Sequence, residues 1–324
     1  MEILSETIKQ IEKQFGKGTI MNFNDKNEKI DVIPSGSILL DNALGIGGFP
    51  KGRIIEMYGN ESCGKTTIAL QVVAQCQNLG GKCVYIDLEH ALDSNYCTKN
   101  GVNIKELLII NPESAEQTFS IIEALIKTGS IDLIVIDSVA ALVPQAELQG
   151  EFNDQTIGLQ ARIMSKGLRI IQSLLEKNST CVVFINQIRE KIGIIYGSNE
   201  TTTGGRALRF YASIRLELRK SELIKKGEDV IGIKTSVKTV KNKLAPPMQK
   251  TFVDIYFDKG FDSTIEIIDF AIEKGVIEKN GSWFYFEKEK IGQGKDATKA
   301  FLLGNIDLFN KIKQKILEDS KVET

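Results

Sequence analysis

The sequence predicts an α/β protein with a mainly parallel, helix-covered sheet, an N-terminal helix and a small α+β C-terminal domain. Apolar strand-like runs alternate with helical stretches from about residue 33 to 258, which is typical of a parallel sheet covered by helices. From about residue 262 the pattern changes to a helix, a hairpin and two further helical segments. We therefore divide the chain into residues 1–32 (N-terminal helix and linker), 33–261 (core) and 262–324 (C-terminal domain).

The first predicted element is a short amphipathic helix over residues 3–15. It places Ile8, Ile11 and Phe15 on one face and ends before a glycine-rich turn. Such a helix either packs on its own domain or docks on a neighbouring subunit, and the pattern favours neither.

A strand, a glycine loop and a helix come next in the core. Residues 53–58 form a largely apolar run, and residues 66–79 carry apolar positions at helical spacing. The loop between them fits G-x-x-x-x-G-K-[ST], in which backbone N–H groups surround phosphates, the lysine reaches the β- and γ-phosphates, and the hydroxyl binds Mg²⁺. Its residues are Gly59, Asn60, Glu61, Ser62, Cys63, Gly64, Lys65, Thr66 and Thr67. The sequence thus predicts a nucleoside triphosphate site at a helix N-terminus.

The remaining core elements continue the alternation. Residues 82–88, 131–137 and 181–185 are strand-like, and helices are predicted near residues 114–128 and 158–177. Residues 213–218 and 233–240 alternate strictly, which predicts antiparallel strands joined through the polar turn 225–229. In the last domain a helix around Ile265 leads to Asn280-Gly281, a strong hairpin signal.

Composition restricts the class of protein. The chain of 324 residues has a net charge of −1, so a site for a polyanion must be local. Its 5 cysteines include no C-x-x-C pair and accompany 1 histidine, which argues against a zinc site and a disulfide framework and suits a reducing cytoplasm. No apolar run approaches the ~20 residues of a membrane span, so we expect a cytoplasmic protein without a membrane partner.

Polar residues end three of the predicted parallel strands. Asp137 ends one strand and has the form of a metal-supporting carboxylate, while Glu89 ends another and is a candidate base for the attacking water. Because the carboxyl ends of parallel strands open onto one crevice, both should face the same ligand. Gln187 lies just after a third strand, where its amide can bond a γ-phosphate and report it to the segment beyond. His90 is an alternative base, although a lone histidine there is more often structural.

Two long loops lie beyond these strand ends, at about residues 149–158 and 188–205. The first precedes a helix with Arg162 and Arg169, and the second is rich in basic residues, hydroxyls and glycines. These groups suit phosphodiester contacts, although mobile surface loops with scattered charge are an equally good interpretation of either loop alone.

Taken together, these segments resemble the bacterial RecA family of strand-exchange ATPases over nearly the whole chain. The resemblance is carried by residues 11–18, 59–67, 87–93, 135–138, 184–189, 201–205, 240–243 and 290–294. It implies an ATP-dependent filament on single-stranded DNA, with ATP held between subunits, homologous pairing with double-stranded DNA, and stimulation of self-cleavage by a LexA-type repressor.

The resemblance also implies residue roles. Lys65 and Thr66 would bind phosphate and Mg²⁺, with Asp137 supporting the metal and Glu89 as catalytic base. Asp93 and Tyr96 would flank the adenine. Gln187 would couple phosphate to the second loop, while Lys241 and Lys243 would reach the neighbouring subunit's γ-phosphate and Phe210 would contact that subunit. The implied DNA-binding residues are Arg162, Ser165, Arg169, Lys191, Ile192, Thr203, Gly204, Gly205 and Arg206. The implied duplex-binding residues of the C-terminal domain are Trp283, Lys279 and Lys295.

Three other classes of protein fit the sequence less well. A GTPase or small-molecule kinase is disfavoured because Asn242-Lys243 is followed by Leu244-Ala245 and not by the x-Asp that reads guanine. A ring-forming helicase shares the core, but the N-terminal helix and C-terminal domain favour an open filament. A module with a dead site is disfavoured by the intact catalytic residues. The first loop reads 153–156 Asn-Asp-Gln-Thr where the family usually has a histidine, which puts that histidine's contact in doubt.

Overall fold

The computed structural model describes residues 2–16, 19–20, 30–151, 158–190 and 200–322. The chain forms two compact units, Met1–Asp31 and Val32–Thr324. In the first unit, helix α1 spans Glu2–Phe15, in agreement with the predicted periodicity. Its apolar side chains Leu4 and Phe15 are largely exposed.

The second unit is built on one large mixed sheet, which contains each core strand that the alternation predicted, together with short strands that it did not predict. In chain order the strands are β1 Val32–Ile33, β2 Phe49–Pro50, β3 Ile54–Gly59, β4 Cys83–Asp87, β5 Leu108–Ile110, β6 Leu133–Asp137, β7 Cys181–Glu190, β8 Glu200–Thr202, β9 Ile214–Lys226, β10 Asp229–Asn242, β11 Lys250–Tyr256 and β12 Gly260–Phe261. The main sheet has the order β12-β11-β10-β9-β3-β7-β6-β4-β5, and β1 pairs separately with β2. The strands from β9 through β3 to β5 are parallel to one another, and β9 to β12 are antiparallel.

Helices cover both faces of this sheet. They are α2 Ile38–Leu44, α3 Lys65–Asn78, α4 Ser94–Lys99, α5 Ala115–Lys127, α6 Gln145–Gln149, α7 Leu159–Leu175 and α8 Ala207–Tyr211. Alternate residues of β6 point to opposite faces: Val135 packs in the core under α3, and Ile136 packs in the core under α5 and α7. An apolar layer on each face of the sheet therefore holds the carboxyl ends of these strands in place. All five cysteines are free and buried in the core.

Three strands are longer than their apolar patterns predict. The antiparallel pair β9–β10 reaches to the turn at residues 227–228, and β7 continues through Glu190. Residues 188–190 pair with β8, with Arg189 opposite Thr201. The two ends of the predicted second loop are thus a β-ribbon, and the polar side chains of this ribbon give no apolar strand signal.

The C-terminal region folds around its own apolar cluster, as the change of pattern predicts. Its elements are α9 Ser263–Glu273, β13 Glu278–Asn280, β14 Trp283–Phe286, β15 Glu289–Gln293, α10 Gly294–Gly304 and α11 Ile306–Val322. The predicted hairpin turn at Gly281 has φ 61°, a conformation that favours glycine. Among the described residues, no helix has the length and apolar character that crossing a membrane requires.

The C-terminal region is attached to the core through the start of α2. Glu266 on α9 accepts hydrogen bonds from the Ser37 hydroxyl at 2.6 Å and from the Ile38 N–H at 2.7 Å. Ser37 is itself the N-cap of α2, so a carboxylate from another element completes the cap. Burial raises the pKa of Glu266 to about 7, and burial raises the pKa of the neighbouring Asp41 to about 7 as well.

Candidate functional site

The glycine loop joins β3 to α3 in the predicted strand–loop–helix arrangement. Gly64 has φ 92°, and a Cβ there would lie 2.2 Å from Cδ1 of Ile255. A Cβ at Gly59 would lie 2.2 Å from the carbonyl oxygen of Leu218. Only glycine fits at both places, so the loop backbone is held tightly against the sheet with the N-terminus of α3 behind it.

The side chain of Lys65 lies along the same loop. Its Nζ donates to the carbonyl oxygens of Gly59 at 3.1 Å and Asn60 at 2.7 Å. Both partners are neutral carbonyls of the loop itself. Because these contacts neutralise no charge, the ammonium remains suited to a phosphate.

Asp137, at the end of β6, contacts the first turn of α3. Its Oδ2 accepts from the hydroxyl of Thr66 at 2.8 Å and from the hydroxyl of Tyr85 at 2.8 Å. Burial raises the pKa of Asp137, whereas these two hydrogen bonds lower it. A hydroxyl and a carboxylate in contact beside a phosphate-type loop are oxygen ligands of the kind that Mg²⁺ prefers.

Glu89 and Gln187 meet at the neighbouring strand ends. Oε1 of Glu89 accepts from Nε2 of Gln187 at 3.0 Å and also from the hydroxyl of Ser138. Ser138 follows Asp137 directly, so the ends of β4, β6 and β7 converge as parallel topology predicts. Glu89 is exposed, while Gln187 is partly buried. The arrangement places a carboxylate and an amide side by side at the crevice.

Asp93 and Tyr96 lie beside the first turn of α3. Asp93 is the N-cap of α4, and its Oδ1 accepts from the N–H of Tyr96 at 2.7 Å. The hydroxyls of Tyr96 and Thr67 are 2.6 Å apart. This hydrogen bond fixes the ring of Tyr96 next to the glycine loop.

The end of the second predicted loop packs against α7, the helix that follows the first predicted loop. Residues 152–157 and 191–199, with Lys191 and Ile192, lie outside the described residues. Gly204 and Gly205 both have positive φ, and a Cβ at Gly205 would lie 2.8 Å from Cβ of Ala161 on α7. Glycine is therefore required for this close packing. Arg162 and Arg206 directly follow the two residues in contact and are exposed, and Arg169 is exposed further along α7.

Ser165 lies on α7 between the two arginines, and its hydroxyl donates to the carbonyl of Ala161 at 2.8 Å. With Arg162 and Arg169 it follows a spacing of three and four residues, which keeps all three on one helical face. Met164 and Leu168 are buried elsewhere on the same helix.

Lys241 near the end of β10 and Lys243 just after it donate hydrogen bonds to α8. Nζ of Lys241 donates to the carbonyls of Arg209 at 2.6 Å and Phe210 at 3.0 Å, and Nζ of Lys243 donates to that of Phe210 at 3.4 Å. Burial, with Lys243 and Arg215 nearby, lowers the pKa of Lys241 to about 8. Their described hydrogen bonds thus go to α8 and not to the glycine loop, and Phe210 itself is 71% exposed.

Sequence reasoning missed several residues that hold this site together. Tyr85 and Ser138 support the two carboxylates, and neither carries a motif of its own. Glu56 is fully buried and pairs with Arg215 at 2.5 Å. A glutamate inside the apolar run 53–58 is a usable signal, because a buried charge requires a partner.

Comparisons with known proteins agree across the chain. The RecA N-terminal domain model matches residues 2–262, and the RecA C-terminal domain model matches residues 265–321. A protein named Protein RecA from Malacoplasma penetrans is 54% identical over 318 residues, covering 98% of this chain and 95% of the relative. Proteins of the same name from Bacillus subtilis (52% identity, 97% and 91% coverage) and Nitrobacter winogradskyi (51%, 98% and 88%) are also similar.

Proposed function

Because the chain belongs to the RecA family, we propose that it is an ATP-dependent DNA recombinase. It forms a filament on single-stranded DNA, hydrolyses ATP in that state, and pairs and exchanges homologous strands in recombinational repair. The observation that carries this proposal is the hydrogen bond from Gln187 to Glu89. It joins the triphosphate crevice to the root of the β7–β8 ribbon, which leads into the second DNA loop.

In this proposal the residues around the glycine loop perform the ATPase reaction. Lys65 and the backbone N–H groups of residues 59–67 bind the phosphates. Thr66 and Asp137 would hold Mg²⁺, which supplies charge neutralisation at the phosphates when bound. Glu89 accepts a proton from the attacking water, and Asp93 and Tyr96 bound the adenine.

Gln187 has two alternative partners in the proposed cycle. Without a γ-phosphate, its Nε2 donates to Glu89. With a γ-phosphate in the crevice, the amide can donate to that group, which pulls the adjoining ribbon toward the nucleotide. Nucleotide state is thereby passed to the second loop through one side chain.

Single-stranded DNA binds along α7 and the end of the second loop that packs against it. The proposed contacts are Arg162, Ser165 and Arg169 on α7, Lys191 and Ile192 in the second loop, and Thr203, Gly204, Gly205 and Arg206 after it. Positive side chains and open backbone amides suit phosphodiesters. The close contact of Gly205 with Ala161 supports a shared surface for the described residues of this set, on α7 and after β8.

Subunit contacts complete the proposed enzyme. Lys241 and Lys243 act on the ATP of the neighbouring subunit, where a cation stabilises transition-state charge. The exposed Phe210 packs against that subunit, and its carbonyl bonds both lysines. Helix α1 contributes to polymerisation in the same proposal.

The C-terminal region is the proposed surface for double-stranded DNA. Trp283 is partly exposed, and the ammonium of Lys290 lies 4.6 Å from its ring centroid. Lys279 and Lys295 lie in the same region, although Lys295 is paired with Asp269 at 2.7 Å. We place the protein in the cytoplasm, where a LexA-type repressor would be a further partner of the filament.

Electron microscopy tests the assembly directly. The full chain is mixed with a non-hydrolysable ATP analogue and single-stranded DNA. Open helical filaments that require both ligands are expected. Closed rings would favour the helicase alternative, and unassembled monomers would contradict the recombinase proposal.

A further inference from the structure

A buried carboxylate lies in the middle of the sheet beneath the crevice. Glu56 on β3 is fully buried, and its Oε2 accepts from Nε of Arg215 on β9 at 2.5 Å. Its Oε1 accepts from Nδ2 of Asn186 on β7 at 3.0 Å. Glu56 therefore bonds both strands that flank β3.

The amide of Asn186 is fully engaged. Nδ2 donates to Glu56 and to the carbonyl of Thr203 at 3.2 Å. Oδ1 accepts from the N–H of Gln187 at 2.8 Å and from the hydroxyl of Thr203. Asn186 is fully buried, so these four bonds have no competition from bulk water.

Three of these four bonds join the two ends of one segment, and the fourth goes to Glu56. Gln187 begins the path from β7 into the second loop, and Thr203 ends the return path after β8. The distance between Gln187 and Thr203 is thus set by the side-chain amide of Asn186. The orientation of that amide is set by its hydrogen bond to Glu56. The same Glu56 is paired with Arg215, whose guanidinium lies 4.6 Å from the ring centroid of Tyr58.

We propose that Asn186, held by Glu56, is the positioning residue that keeps the second loop in register with Gln187, so that DNA bound at the loop is coupled to ATP turnover. This inference rests on the proposed function and assigns a role to two residues outside the nucleotide and DNA contacts. Asn186 acts through Gln187 and Thr203 and does not itself touch ATP or DNA.

The chemistry of the position makes the proposal specific to an amide. Asparagine donates to one carboxylate and one carbonyl while it accepts from two donors. Aspartate in its place would face Glu56 with a second carboxylate and leave the Thr203 carbonyl without its donor. Glutamine in place of Glu56 would in turn present an N–H₂ group to Asn186 or to Arg215.

The test is a cycle of Asn186→Asp, Glu56→Gln and the double variant, with Asn178→Asp as matched control. Asn178 also donates through Nδ2, to the Leu174 carbonyl at 2.9 Å, but it lies at the other end of β7 and α7. The measurements are ATP turnover with and without poly(dT), the poly(dT) concentration for half-maximal stimulation, and ATP-analogue affinity.

Each single variant is expected to reduce stimulation by poly(dT) about tenfold, with unstimulated turnover and analogue affinity unchanged. The double variant is expected to recover part of the stimulation by poly(dT). The reason is that the introduced glutamine can donate to the introduced aspartate and still accept from Arg215. A purely structural role would lower analogue affinity together with stimulation. Normal stimulation in Asn186→Asp, or a double variant worse than both singles, overturns the proposal.

Asn186→Ala keeps the test decisive if aspartate prevents folding, because it removes the amide without adding charge. It should show the same selective loss of stimulation, and wild-type stimulation in this variant would overturn the proposal. Failure of the proposed function is distinguishable, since then the wild type itself would not be stimulated by poly(dT).

Discussion

The hydroxyl of Thr66 donates to Oδ2 of Asp137 over 2.8 Å. This bond joins the first turn of α3 to the end of β6, and Tyr85 donates to the same oxygen from β4. Two residues far apart in sequence are thereby preassembled beside the glycine loop. A divalent cation bound here would be coordinated by a hydroxyl and a carboxylate that already contact each other.

Removing that hydroxyl should weaken metal-dependent nucleotide binding. Thr66→Val is nearly isosteric but leaves the buried Asp137 with one hydrogen-bond donor fewer and the metal without an oxygen ligand. We expect Mg·ATP affinity to fall about tenfold, whereas affinity measured with EDTA changes little. Thr66→Ser, which keeps the hydroxyl, is the matched control and should bind normally.

Glu89→Gln should stop turnover without loss of binding. Glutamine retains an oxygen that can accept from Ser138 and Gln187 but cannot take a proton from water. We expect turnover on DNA to fall about 10²–10⁴-fold, while filtration assays show normal ATP and DNA binding. The exposed Glu106→Gln is the control, and a Glu89→Gln enzyme with normal turnover would assign the base elsewhere.

Replacing both Lys241 and Lys243 should impair the assembled enzyme but not the folding of the single chain. Lys241→Gln with Lys243→Gln removes the charges proposed to act on the neighbouring ATP. We expect loss of cooperative ATP hydrolysis on DNA with a normal thermal melting profile, compared with the exposed Lys220→Gln. Unchanged cooperativity would contradict a role between subunits.

The contact between Glu266 on α9 and the start of α2 should make the free energy of unfolding depend on pH. Asp41 and Glu266 have pKa values raised to about 7 in the folded chain, so the native state binds more protons than the unfolded state between about pH 4.5 and 7. The contribution of these two carboxyl groups to the free energy of unfolding is therefore present at low pH and is lost as the pH rises toward 7. The loss is about 1.4 kcal/mol per pH unit for each group. Urea unfolding of wild type and Glu266→Gln from pH 5 to 8 measures this slope.

The expected slope is smaller in Glu266→Gln than in the wild type, since one titrating carboxyl is gone. An exposed carboxyl such as Glu106 provides the control substitution. Equal slopes in wild type and Glu266→Gln would show that this carboxyl titrates normally in the folded chain.

Much of the fold follows from sequence periodicity. The run Leu133–Asp137 is apolar on both faces because helices cover both faces, and the strict alternation before Asn242 reports an antiparallel partner. The short strands β1, β2 and β12 have two residues each and lack any periodic signal. The polar β7–β8 ribbon escaped prediction for a related reason, because its pairing depends on backbone bonds and not on burial.

The candidate site likewise contains some residues that local sequence patterns identify and others that they do not. Lys65 and Thr66 are fixed by local spacing, and Glu89 and Asp137 by their positions at strand ends. The Asn186–Glu56 contact joins residues 130 positions apart, so only the register of β3 with β7 brings them together. No local pattern contains that register.

The decisive measurement is ATP hydrolysis by the full chain with and without single-stranded DNA, at constant Mg·ATP and salt. We expect slow turnover without DNA and strong stimulation by poly(dT), with further dependence on protein concentration as subunits assemble. Equal rates with and without DNA would contradict it, because the crevice would then work independently of the loop that Gln187 joins to it.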